Sequence, residues 1–253
     1  PIQIWLNQKK NFITKSVKNI FKLICIIFIS VSFFCHKAFT EETKKLLTTD
    51  WSFKGFSGTF DRASLQRGYQ VYAEVCASCH SMKYLSYRNL AEKGGPEFSK
   101  DQAKAIAGNF EVTDGPDSDG EMFVRSAKLS DKLVKPYKND QEAMASNGGA
   151  YPPDLSLLVK ARKGGADYVY SVLLGYEELS SDLTLEDGVY YNAYISGKRI
   201  KMPKPLSNGL IEYNDGTEAT EQQMAKDVVT FLAWAAEPHL EKRHKIGFKA
   251  IIY

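Results

Sequence analysis

Apolar residues recur at helical spacing at Leu65, Tyr69, Tyr72 and Cys76, and Asp61 stands just ahead, where its carboxylate can accept from the first free backbone N–H groups. The pattern predicts a helix that delivers the chain to Cys76. Met224, Val228, Phe231, Leu232 and Ala235 mark a second apolar helical face. Thr220 and Gln223 stand at capping-box spacing at its start, and Pro238 stops it. Between the two, apolar positions come in short runs broken by Gly148-Gly149, Pro152-Pro153 and Gly164-Gly165, so Asp140 to Ser146, Leu155 to Lys163 and Asp167 to Leu174 are expected as brief helices among loops. Val189 to Ile195, rich in tyrosine and branched residues, suits a short strand or an extended loop. The expected fold class is mainly α with little sheet, and segments so punctuated need a bound group to pack around.

The two ends carry different signals. Lys9, Lys10, Lys15, Lys18, Lys22 and Lys37 precede or flank an apolar run from Leu23 to Phe34, and the first forty residues contain no acid. The run is shorter than the ~20 residues that cross a bilayer as a helix, so residues 1–39 read as a secretory signal cleaved near Ala38 to Thr40. An uncleaved anchor is the competing reading. Near the other end, Lys242-Arg243-His244-Lys245 precedes Gly247, Phe248, Ala250, Ile251, Ile252 and Tyr253, a basic and aromatic approach to an apolar span. Residues 241–253 are therefore expected to begin a transmembrane anchor, with an amphipathic tail as the alternative. Residues 40–240, about 200 in number, suffice for one core and are expected to form one domain with long loop insertions.

Charge changes the choice of partners. The chain holds 33 basic and 30 acidic residues; six of the basic ones lie in the leader, which leaves 27 against 30 and turns +3 into −3 beyond it. Nucleic acid is thereby excluded as a partner, and a basic docking partner is favoured. Two acidic groups stand out: Glu111, Asp114, Asp117, Asp119 and Glu121, and then Glu177, Glu178, Asp182, Glu186 and Asp187. Each is either a solvated loop or a surface that steers a basic protein.

The chemistry concentrates in Cys76-Ala77-Ser78-Cys79-His80, the attachment sequence of a covalently bound haem c. Two thiols three residues apart can bond two vinyl groups, and the adjoining imidazole can take the iron. Zinc would need two further ligands, and a redox dithiol has no use for the histidine. Cys25 and Cys35, the other cysteines, lie in the expected leader.

A second axial ligand would decide whether such an iron moves electrons or binds reactants. Met82 follows His80 too closely to reach the opposite haem face; Met224 belongs to the last apolar stripe; Met122 and Met144 suit surface or packing roles. Met202 lies in Lys201-Met202-Pro203-Lys204-Pro205, where prolines exclude helix and hold the chain extended. It is the candidate ligand, with a hydrophobic plug as the competing role and His239 and His244 as the other candidates.

Beyond single motifs, the chain resembles the cytochrome c1 family, the haem subunits of the quinol:cytochrome c oxidoreductase (cytochrome bc1) complex. The resemblance rests on Trp51-Ser52-Phe53, Gln66-Arg67-Gly68, Cys79-His80-Ser81-Met82, Asn147-Gly148-Gly149-Ala150, Pro152-Pro153-Asp154-Leu155-Ser156, Gly175-Tyr176, Met202-Pro203 and Phe231-Leu232-Ala233-Trp234-Ala235-Ala236-Glu237-Pro238, in one order. It implies a c-type cytochrome fold with a C-terminal anchor, and one haem c on Cys76 and Cys79 with His80 and Met202 on the iron. It also implies Arg162 beside a propionate, with Asn147 and Tyr168 in the haem surroundings. Implied partners are cytochrome b, the Rieske iron-sulfur protein, a soluble or tethered cytochrome c and the membrane, within a dimeric complex. The implied place is the inner, energy-transducing membrane, with the haem domain on the periplasmic side. The single simple leader favours a bacterial periplasm over an organelle. The function implied is single-electron transfer from the Rieske protein to cytochrome c, with no catalytic residue of its own. The alternatives are a free periplasmic carrier and a haem enzyme or gas sensor with an exchangeable sixth ligand.

Overall fold

The structure is a computed structural model and describes Lys22, residues 44–178 and residues 185–253. Residues 1–21, 23–43 and 179–184, which hold most of the expected leader and Asp182 of the second acidic group, lie outside the described residues. From Lys44 onward, α1 (Arg62–Glu74) opens on Asp61, whose carboxylate accepts from the Ser64 N–H at 2.6 Å. The α-helix stops two residues short of Cys76, and Cys76–Ser78 wind into a tighter 3-10 turn. Lys100–Gly108 forms α2 on a reciprocal cap, with Ser99 Oγ accepting from the Gln102 N–H and Gln102 Oε1 from the Ser99 N–H. Across the first acidic group, β1 (Glu111–Asp114) and β2 (Phe123–Ser126) pair as an antiparallel hairpin.

Beyond the hairpin, α3 (Asp140–Ser146) has the expected bounds, capped by Asn139. The helix expected over Leu155 to Lys163 shrinks to one turn, α4 (Leu158–Ala161), because Leu155 and Ser156 are held by residues 81–84 and Arg162 is extended. Next, α5 (Gly165–Leu174) begins two residues earlier than the apolar pattern suggests. The stretch that could be strand or loop contributes β3 (Tyr190–Tyr191), paired with β4 (Arg199–Ile200). The last two helices are α6 (Glu221–Ala236) and α7 (Leu240–Ile252). Sheet content is low, as the pattern implied, and the described fold is mainly helical.

The core is a crossing of α1 on α6. A Cβ on Gly68 would lie 2.1 Å from the Asp227 carbonyl oxygen, so only glycine lets the two backbones approach this closely. Beside the crossing, the fully buried Asp227 carboxylate accepts from Ser64 Oγ, Arg67 Nε at 2.8 Å and Gln223 Nε2 at 2.9 Å. Gln223 therefore does not complete the box at the start of α6; Thr220 Oγ1 alone caps, accepting from the Gln223 N–H. Tyr69, Tyr72, Phe231 and Trp234 stack edge-on or tilted around this contact. From residue 227 to residue 236 every side chain of α6 is buried, so the helix is enclosed on all sides rather than along one stripe.

Residues 44–253 form one compact unit. Within it, Glu241 at the start of α7 accepts from the Phe60 N–H at 2.9 Å and pairs with Arg62, while His244 Nδ1 lies 3.0 Å from the Gly58 carbonyl. Further along α7, Ile246, Phe248, Ile251 and Ile252 are exposed. No helix among the described residues is long and apolar enough to cross a membrane.

Candidate functional site

Three side chains of the expected site share one turn. The Cys79 and His80 N–H groups both donate to the Cys76 carbonyl, at 3.1 and 2.8 Å, and Ser78 Oγ donates to the Val75 carbonyl at 2.8 Å. A 3-10 turn repeats every three residues, so positions i and i+3 superimpose along its axis and the turn brings Cys76 and Cys79 to one edge. Both thiols are free and half-buried. Burial pushes the Cys76 thiol up to about 12, so it is a neutral thiol at pH 7.

His80 is oriented from far along the chain. Its Nδ1 lies 2.8 Å from the Pro153 carbonyl oxygen. A carbonyl only accepts, so Nδ1 carries the proton and the Nε2 lone pair is left free. Burial lowers the His80 pKa below its usual value, against the opposing pull of the Pro153 carbonyl and Asp154. The ring is thus neutral and able to ligate.

Asp154 makes that orientation rigid. Its Oδ2 accepts from Ser81 Oγ at 2.8 Å and the Lys83 N–H at 2.9 Å, and its Oδ1 from the Ser156 N–H at 3.0 Å. The Leu155 N–H adds a bond to the Ser81 carbonyl at 2.9 Å. Burial works to raise the Asp154 pKa, but the hydrogen bonds from Lys83, Ser156 and Ser81 outweigh it and hold the carboxyl below its ordinary value. On the near side, Tyr72 Oη donates to the His80 carbonyl at 3.2 Å.

The five methionines separate by position. Met82 and Met224 are completely buried, Met122 and Met144 are exposed, and Met202 is half-buried in the loop that leaves β4. Tyr176 Oη donates to the Met202 carbonyl at 3.0 Å, and Lys201 Nζ to the Gly148 carbonyl at 2.8 Å. The Met202 loop is thereby joined to the loop after Asn147. Asn147 itself caps α3, its side-chain amide donating to Tyr137 Oη and the Ala143 carbonyl. Arg162, at the end of α4, is exposed; its guanidinium bonds the Ala161 carbonyl at 3.3 Å and enters no ion pair among the described residues. Tyr168 lies half-buried on α5, packed against the core. Among the described residues, no hydrogen bond joins Met202, Arg162, Asn147 or Tyr168 to the thiol turn. His239 is exposed at the start of α7, and His244 is engaged with Gly58.

The sequence patterns do not reveal the Pro153 contact or the two tethers on the Met202 loop. Pro152-Pro153-Asp154 carries a usable signal, since an aspartate after prolines ahead of a serine suits an Asx turn, and Asp154 forms one with Ser156. Chemically, the turn offers two thiols and one imidazole nitrogen that has no hydrogen-bond partner among the described residues. That donor set suits a haem with two vinyl groups and an iron. Among the described residues no cluster of three or more His, Cys, Asp or Glu side chains is arranged to hold a metal ion.

A mainly helical domain built around a Cys-x-x-Cys-His turn is the class of protein that this fold and site define. Residues 51–253 match the Cytochrome C1 family, and the chain belongs to that family. It is similar to "Cytochrome c1 2, heme protein, mitochondrial" of Arabidopsis thaliana, with 51% identity over 201 residues, 79% of this chain and 64% of that one. The chain thus spans a little under two thirds of that relative. It is 46% identical to "Cytochrome c1" of Rhodospirillum rubrum over 81% of this chain and 80% of that one. It is also 49% identical to the "Cytochrome b-c1 complex catalytic subunit, mitochondrial" of Candida albicans over 80% of this chain and 70% of that one.

Proposed function

We propose that this chain carries one covalently bound haem c and passes single electrons as the cytochrome c1 subunit of a quinol:cytochrome c reductase. When bound, the haem supplies a one-electron ferric/ferrous couple. Cys76 and Cys79 would hold it by thioethers, and His80 Nε2 and the Met202 thioether would be the two protein ligands of its iron. With both residues as ligands the site would leave no position for a reactant, so the chain would transfer electrons without breaking a substrate bond. Methionine sulfur raises the potential relative to a second imidazole. Arg162 is an exposed guanidinium, without an ion pair among the described residues, suited to a haem propionate, with Asn147 and Tyr168 in the surrounding shell.

The observation that carries this reading is the His80 ring, whose Nδ1 proton is directed to the Pro153 carbonyl and whose Nε2 has no hydrogen-bond partner among the described residues. The names of the relatives support a haem and a place in the complex: heme protein in Arabidopsis thaliana, cytochrome b-c1 complex catalytic subunit in Candida albicans. Electrons enter from the Rieske iron-sulfur protein and leave to a soluble or tethered cytochrome c. Cytochrome b is the third partner, in a dimeric complex. Residues 1–39 act as a secretory signal, residues 40–240 form the haem domain on the periplasmic side of the inner membrane, and residues 241–253 open a membrane anchor. The basic and aromatic residues of α7 support that last assignment.

One purification tests the proposal. From gently solubilised membranes, the chain should retain haem on a denaturing gel, copurify with cytochrome b and an iron-sulfur protein, and resist carbon monoxide when reduced. Haem lost on denaturation, or immediate carbon monoxide binding, contradicts it.

A further inference from the structure

We infer that Tyr176 is a positioning residue for the distal side of the site: its hydroxyl, donating to the Met202 carbonyl oxygen at 3.0 Å, tethers the ligand loop and keeps the thioether on the iron. The inference rests on the reading of Met202 as the second axial ligand.

Apart from Leu206, buried in the core at its far end, the loop has few anchors. Residues 202–206 enter no backbone–backbone hydrogen bond among the described residues, and Pro203 and Pro205 have no N–H to give. β4 supports the loop for only two residues on its upstream side. The Lys201 bond to Gly148 and the Lys204 ion pair with Glu221 both run through long, exposed side chains that lose much freedom on pairing. Among the described residues Tyr176 alone hydrogen-bonds Met202 itself, and its rigid ring has few rotamers to lose.

The donor is fixed at its base. Tyr176 follows α5 and bridges to Asn192, the Ala193 N–H donates to the Gly175 carbonyl at 3.0 Å, and the completely buried Asn192 donates to the Val172 carbonyl at 2.8 Å. The passage is tight: a Cβ on Gly175 would meet the Ser171 carbonyl oxygen at 2.7 Å and Asn192 Oδ1 at 2.8 Å. The hydroxyl is therefore aimed from a rigid corner at a loop that lacks its own main-chain anchors. Loss of one such bond shifts an opening equilibrium by roughly fivefold, the weight of a typical net hydrogen bond.

The test uses the haem-loaded full chain in its ferric form, with imidazole as the probe that enters only when the thioether leaves. Tyr176→Phe should keep covalent haem and a cooperative unfolding transition lowered by no more than that one bond contributes, yet bind imidazole about fivefold more tightly and lose its sulfur-to-iron charge-transfer band at correspondingly lower imidazole. Lys201→Met should shift imidazole affinity less than Tyr176→Phe. Wild-type imidazole affinity in Tyr176→Phe, a larger effect of Lys201→Met, or failure of Tyr176→Phe to fold would each overturn the tether. Met202→Leu separates the two claims. If it keeps the wild-type charge-transfer band, the ligand assignment fails; if it loses the band while Tyr176→Phe titrates as wild type, the tether alone fails.

Discussion

His80 Nδ1 lies 2.8 Å from the carbonyl oxygen of Pro153, a residue 73 positions further along the chain. The contact fixes both the tautomer and the ring plane of the candidate ligand. It is held by Asp154, which clamps the Pro153 segment to residues 81–83.

Asp154→Asn should therefore loosen the proximal side. Hydrogen bonds to a charged acceptor contribute about 1.5–3 kcal/mol each, and the variant weakens those to Ser81 and the Lys83 N–H. The pH dependence has a definite sign. The folded carboxyl sits below its ordinary value, so its contribution is complete above the unfolded pKa of about 3.9 and is lost as pH falls through the lower folded value. Denaturant unfolding between pH 5 and pH 2, by order-of-magnitude placement around that pKa, should show a shallower acid slope for Asp154→Asn than for the wild type. Equal slopes would remove Asp154 as the clamp.

Gly68→Ala tests the helix crossing. The added methyl would sit 2.1 Å from the Asp227 carbonyl, a backbone atom that cannot rotate away. Overpacking of this kind costs about 1–3 kcal/mol. A melting temperature equal to the wild type would show that α1 and α6 separate more freely than the structure allows.

Two arginines should behave oppositely. Arg67→Met leaves the fully buried Asp227 without its cation, a loss of about 3–5 kcal/mol for a broken buried pair. Arg125→Met removes pairs with Asp114 on the hairpin and Asp131 just beyond it, where solvent screening keeps the loss well below that of Arg67→Met. Chemical denaturation of both variants checks the ranking, and equal losses would contradict the burial argument.

The local parts of this molecule were legible in the sequence. Asp61 and Thr220 cap the helices that they were expected to cap, α3 has its expected bounds, and the Cys76 to His80 turn is where the motif puts it. Each of these depends on residues within one or two turns of one another. Ser99 and Gln102 carried an equally local signal for α2 that the apolar pattern, weak there, obscured. Leu155 to Lys163 looked helical because its apolar spacing says nothing of Asp154, whose bonds to residues 81–83 shorten the helix. Gln223 left the capping box for Asp227, a choice visible only once α1 brings Ser64 and Arg67 against the same carboxylate. The contacts that orient the candidate ligands, Pro153 to His80 and Tyr176 to Met202, join residues far apart in sequence and are set by topology.

The hairpin also narrows the docking question. Asp114 is engaged by Arg125, and Asp117 keeps its charge while accepting from the Asp119 and Glu121 N–H groups that hold the turn, so Glu111, Asp119 and Glu121 are the acids of this group whose charge can be removed without touching those bonds among the described residues. Replacing those three with their amides should flatten the ionic-strength dependence of cytochrome c reduction in stopped-flow measurements while leaving the fold intact. An unaltered slope would transfer the docking role away from the hairpin.

The reduction potential of Met202→Leu tests the central claim most directly. With His80 and Met202 both on the iron, the variant should keep its covalent haem, lose the sulfur-to-iron charge-transfer band and fall in potential. A potential and spectrum equal to the wild type would show that the sulfur of residue 202 does not reach the metal.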